Sequence, residues 1–199
     1  MELFRPVGLA ELVLLFRSEM RAFPPRLPEQ PIFYPVLSER YAAQIAAEWN
    51  TKADALAGYV TRFVVSDAYG GSFASRTVGS REHQELWVPA EELERFNSEL
   101  EGPITVTSAY FGDGFVGQPG AHGALLGLDA RAQWAVLARL SRGDEASLAT
   151  EITANREAVF ANALFWRALS DSDEARSTLT LVHRLWARQE RVALPIGSP

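Results

Sequence analysis

The hydrophobic pattern changes character near residue 112, and that change limits the fold more than any single motif does. Before it, short β-branched and aromatic runs alternate with brief helical stretches; after it, long helical periodicity takes over. In the first half, Phe23-Pro24-Pro25-Arg26-Leu27-Pro28-Glu29-Gln30-Pro31 excludes helix, because each proline lacks an N–H and restricts the residue before it.

Strands are predicted at Met1–Val7, Ile32–Pro35, Gly58–Ser66, Glu85–Pro89 and Ile104–Phe111, with a weaker one near Phe73–Val78. Between them, helices are predicted from Gly8 to about Met20, over Glu39–Trp49 and over Glu91–Leu100. Ser38 is placed to cap the second of these, whose buried stripe would be Ala42, Ile45, Ala46 and Trp49. The elements do not repeat as βαβ units, so residues 1–112 read as an α+β domain with a mixed sheet of short strands and flanking helices. Residues 113–123 read as a glycine-rich linker. Residues 124–199 read as a three-helix appendage: Asp129–Ser141, Asp144–Leu169 and Asp171–Arg191, with Asp144 and Asp171 as caps and a loose tail over Pro195–Pro199.

Composition narrows the function classes. The chain of 199 residues is 47% hydrophobic and 22% charged, enough for a packed core. It has no cysteine, which removes thiolate chemistry and disulfides, and its three scattered histidines argue against a histidine-based metal site. The net charge of −6 argues against nucleic acid as a partner; residues 1–112 hold 10 basic and 15 acidic groups, so the first domain is acidic as well. No apolar run reaches a membrane-spanning length and no secretory leader is visible, so a cytoplasmic protein without membrane attachment is expected.

Gly112-Asp-Gly114-Phe-Val-Gly117 matches the letters of a dinucleotide-binding loop. Pro119, Gly120 and Gly123 follow at once and deny it the helix whose N-terminus would face a pyrophosphate, so it reads as linker. What remains is a constellation. Phe4-Arg5-Pro6-Val7-Gly8 carries an arginine on the first strand. Ile32-Phe33-Tyr34-Pro35 and Glu39-Arg40-Tyr41-Ala42 are rich in aromatics. His83-Gln84-Glu85-Leu86-Trp87-Val88-Pro89 sets a carboxylate directly ahead of an apolar run.

In order and context these residues resemble the ADP-ribosyltransferase fold, which carries Arg or His on its first core strand, Ser/Thr or Tyr on its second, and a catalytic Glu before an apolar strand ending in Pro. Residues 1–112 also resemble small bacterial proteins labelled ADP-ribosylation/crystallin J1. The ADP-ribosylglycohydrolases evoked by that label are larger, all-helical and bind Mg²⁺ through clustered Asp and Thr, which this chain lacks, so the transferase resemblance is the one followed.

It implies NAD as substrate, with Glu85 holding the nicotinamide ribose and stabilising an oxocarbenium-like state. Arg5 would grip a phosphate or ribose, and Tyr34 or Tyr41 would stack on nicotinamide. The proline-rich segment reads as a rigid wall around the core, from which Arg26 could reach a phosphate. His83 stands where protein-modifying members carry the first Glu of a Glu-x-Glu pair, which leaves the acceptor open. No metal is implied. Several of these residues also have a plain reading: Arg5 as a surface ion pair at a strand end with Glu2 or another acid, the tyrosines as core edge, Glu85 as a solvated carboxylate. The alternative for the whole chain is a non-catalytic interaction module. It would dimerise or bind a protein partner through 124–199, where Trp134, Trp166 and Trp186 could form exposed faces.

Overall fold

The computed structural model describes residues 1–53, 55–79, 83–169 and 171–196. The chain divides into two compact units, Met1–Asp113 and Gly114–Pro199. The architecture is mixed α+β. Among the described residues no helix is long and apolar enough to cross a membrane.

In the first unit the chain runs β1 (Glu2–Val7), α1 (Leu9–Arg17), β2 (Ile32–Phe33), α2 (Glu39–Glu48), β3 (Ala57–Val64), α3 (Asp67–Gly70), β4 (Ala74–Thr77), β5 (Gln84–Pro89), α4 (Leu93–Ser98) and β6 (Thr105–Phe111). The strands form two three-stranded antiparallel sheets, ordered β1-β3-β6 and β2-β5-β4. Val36 joins them, because it pairs with Phe4 on one side and Glu85 on the other. Phe33 opposite Val88 and Val36 opposite Glu85 share one antiparallel register, so residues 32–36 track β5 throughout. The strand is interrupted at Pro35, which has no N–H to give, although its carbonyl still accepts from Leu86 N at 2.8 Å.

Helix α1 stops at Arg17, short of the expected Met20. Glu19 and Met20 take positive φ values of 56° and 59°, outside the right-handed helical region. The Ser18 hydroxyl donates to Leu15 O and accepts from Ala22 N, which fixes the turn into the proline-rich segment. That segment is pinned by Asn97, which accepts from Phe23 N and donates to Phe23 O. Phe23 is thereby driven into an aromatic core with Phe33 and Phe63, at centroid distances of 4.7 and 4.8 Å. On the other face α2, capped by Ser38 as expected, buries Tyr41, Ala42 and Ala46 against Phe4, Val36 and Val60. A Cβ on Gly58 of β3 would come within 2.7 Å of the Ala46 backbone, so helix and strand meet there in backbone contact. Trp49 departs from the buried stripe assigned to it. It caps the C-terminus of α2 and is 62% exposed, while Ile45 is only half-buried.

Among its described residues the second unit holds α5 (Ala130–Leu140), α6 (Glu145–Ala154), α7 (Arg156–Leu169) and α8 (Asp173–Ala187), four helices where three were expected. The single helix expected over Asp144–Leu169 breaks at Asn155. Its side chain turns inward, accepts from Ala121 N and His122 N, and donates to Glu151 O. Ser172 caps α8, in place of Asp171. The stretch read as a linker is also built into this unit. Asn162 accepts from Gln118 N and donates to Gln118 O, and Gly117 adopts φ +75° where a Cβ would strike Ala130 and Asn162. Trp166 and Trp186 are buried, with their indole N–H groups on Ala130 O and Val192 O, and Trp134 is half-buried against Trp166. They form core, not the exposed face the sequence suggested. Of the expected tail, Ile196 is buried and its carbonyl accepts from Arg167; residues 197–199 lie outside the described residues.

Candidate functional site

Strand register decides which candidate residues can meet. Residues directly opposite in an antiparallel pair project to the same face, and neighbours along a strand project to opposite faces. Phe4, Val36, Glu85 and Arg76 lie opposite one another across β1, residue 36, β5 and β4, so they share the face that α2 covers. Arg5, next to Phe4, points to the other face with Leu3, where its guanidinium lies 4.7 Å from the Phe33 ring centroid. The structure therefore does not bring Arg5 and Glu85 together, although their strands are separated only by residues 32–36.

On the α2 face, Glu85 is half-buried and flanked by two aromatic pairs. Its Oε1 accepts from the Trp87 indole N–H at 2.9 Å, and Trp87 meets Tyr34 edge-on at 5.4 Å between centroids. Arg76 lies over the Trp87 ring at 3.7 Å, a cation–π contact from the neighbouring strand. On the α2 side, Tyr41 and His83 stack in parallel at 4.2 Å, and His83 Nε2 lies 3.1 Å from Gln44 Oε1. Burial raises the Tyr41 phenol above the ordinary tyrosine range, and the negative charge of Glu85 raises it further. Four of the six residues singled out from sequence, Tyr34, Tyr41, His83 and Glu85, thus share one surface.

The other two form a separate cluster. Arg5 is 8% exposed, and its Nε and Nη2 donate to the two carboxylate oxygens of Glu11 on α1 at 2.8 and 3.2 Å. Nη1 reaches Tyr34 O at 3.4 Å. Arg5 is thus in an ion pair, but a buried one with Glu11 and not the surface pair with Glu2, which binds Arg62 instead. Arg26 stands close enough to feel Arg5, Glu11 and Tyr34. Its guanidinium pKa is lowered, first by burial and then by the charge of Arg5.

Sequence reasoning passed over Trp87, Arg76, Gln44 and Glu11. The alternation along β5 would have put Trp87 on the face of Glu85, since the two are two residues apart. Arg76 depends on the β4–β5 register and Glu11 on how α1 folds back over β1, and no local pattern carries either. Comparison of the chain with protein-family models, curated proteins and solved structures finds no match.

Proposed function

We propose that the first unit is an ADP-ribosyltransferase-like domain that uses NAD, either transferring ADP-ribose or hydrolysing NAD. The observation that carries the reading is Glu85, a half-buried carboxylate between the Tyr34–Trp87 and Tyr41–His83 pairs on one sheet face. Loss of nicotinamide breaks the bond between ribose C1′ and the pyridinium nitrogen, and the bonding electrons leave with nicotinamide. The positive charge left on the ribose is what a fixed carboxylate stabilises. Glu85 Oε1 is held by Trp87, so the carboxylate is oriented before substrate arrives.

The aromatic pairs offer flat walls for nicotinamide, and His83 stands beside Glu85 as a base for the acceptor's proton. When the acceptor is water the reaction is NAD hydrolysis. Arg5 acts in this reading as a positioning residue, through its hydrogen bond to the Tyr34 carbonyl. On this reading the protein works in the cytoplasm.

Nicotinamide release by purified wild-type protein and Glu85→Gln tests the proposal. Removing the charge from an isosteric side chain is expected to slow release by about 10²–10³-fold, the scale of losing one transition-state electrostatic contact, while leaving the fold intact. Release that survives the substitution, or absence of both release and calorimetric NAD binding in the wild type, refutes it.

A second reading, a non-catalytic interaction module, is favoured by one observation: Glu11 already occupies the Arg5 fork that the transferase resemblance assigns to cofactor. In it, residues 124–199 dimerise or bind a protein partner, with Leu126, 65% exposed, in place of the buried tryptophans.

A further inference from the structure

Two arginines of the first unit lie close enough to influence each other's charge, and only one has its hydrogen-bonding fork filled. A guanidinium presents Nε–H and one Nη2–H in parallel, a spacing that matches two oxygens of a single oxyanion. Arg5 shows the filled state, with Nε and Nη2 on the two oxygens of Glu11 at 2.8 and 3.2 Å. On Arg26 the same fork is half empty. Nη2 donates to Gln30 Oε1 at 2.9 Å, whereas Nε is buried and has no acceptor among the described residues. A carboxamide brings a single oxygen, so Gln30 satisfies half of what the fork is shaped to take.

Charge points the same way. Both oxygens of Glu11 are taken by Arg5, and among the described residues Arg26 makes no ion pair, so the two guanidinium groups share one carboxylate. A buried donor on a charged group without an acceptor is costly, and an anion removes that cost. The proline-rich segment that carries Arg26 is fixed by the Phe23–Asn97 hydrogen bonds and by the restricted φ of its prolines. Gln30 is exposed, so its carboxamide can leave Nη2 to an incoming anion.

We infer that Arg26 is an oxyanion-binding site, taking a phosphoryl or carboxylate group on Nε and Nη2 in place of the Gln30 carboxamide. The site is separate from Glu85 and stands whether or not the protein turns over NAD. It takes one anionic group, because the charge of Arg5 is already balanced by Glu11.

The test is calorimetric titration of the full chain with inorganic phosphate, pyrophosphate and acetate, which separates a phosphoryl from a carboxylate preference. Arg26→Gln is expected to weaken binding of the preferred anion by about tenfold or more, as for a lost charge-assisted hydrogen-bond pair. Arg21→Gln, which removes an exposed charge just ahead of the proline-rich segment, is expected to leave it within about twofold. The Arg26 Nε–H resonance, assigned by its loss in Arg26→Gln, should move on titration, so the readout does not rest on the variant alone. Gln30→Glu supplies the second oxygen within the chain and should both block anion binding and raise the melting temperature. Absence of binding by all three anions, equal loss in Arg21→Gln and Arg26→Gln, or undiminished binding in Gln30→Glu each overturns the assignment. Glu85→Gln should bind anions as the wild type does, so failure of the NAD reading is told apart from failure of this one.

Discussion

Replacing Glu11 with Gln tests whether Arg5 belongs to the scaffold. The substitution keeps shape and removes charge, leaving the Arg5 guanidinium, 8% exposed, without its counter-ion. Removing one partner of a buried pair costs about 3–5 kcal/mol, because the other charge stays buried and uncompensated. Two features reduce that figure here. The Glu11 side chain is 21% exposed, and Gln retains one oxygen for the contact that Nε now makes at 2.8 Å. A loss of about 2–3 kcal/mol remains.

With a urea m-value of about 2 kcal/mol/M, the unfolding midpoint should fall by roughly 1–1.5 M with m unchanged. The double variant Arg5→Met/Glu11→Leu should recover much of the loss, since a well-packed apolar pair often matches a buried ion pair. A Glu11→Gln variant within about 0.5 kcal/mol of wild type, the range of an ordinary surface change, refutes the reasoning. So does a double variant whose loss equals the sum of its singles, because the pair would then carry no coupling.

Gly58→Ala should destabilise by about 1–3 kcal/mol in the same urea assay, since the added methyl meets the Ala46 backbone and α2 must shift off β3. Alkaline pH should destabilise as well: burial raises Tyr59, Tyr41 and Tyr69 above the ordinary 10.0. The folded state then holds protons that the unfolded chain releases, so this stabilisation is complete below pH 10 and declines above it, readable as a falling urea midpoint. The Glu85→Gln effect on nicotinamide release and the Arg26 and Gln30 effects on anion binding complete the set.

Much of the local structure was legible in the sequence. Ser38 capped its helix, the strand runs near 60, 85 and 105 lay where β-branched and aromatic residues gather, and the change of pattern near 112 is where the chain divides into two units. These features depend on residues within a few positions of one another, and propensity and periodicity report such neighbours. The break at Asn155 was not legible, because it comes from hydrogen bonds to residues 33 and 34 positions away that compete with helix continuation. Burial of Trp166 and Trp186 was missed for a related reason: an aromatic stripe looks the same whether a partner helix covers it or not.

The candidate site divides along the same line. The sequence alone put Tyr34, Tyr41, His83 and Glu85 on neighbouring short elements and Arg26 in a rigid segment. Tertiary structure decided that Glu85 shares its face with Trp87 and Arg76, and that Arg5 turns away from it to Glu11. Which face a strand residue takes follows from a two-residue period, but which residues meet across that face follows from register. Register is set by backbone pairing between segments tens of residues apart, such as Val36 between Phe4 and Glu85.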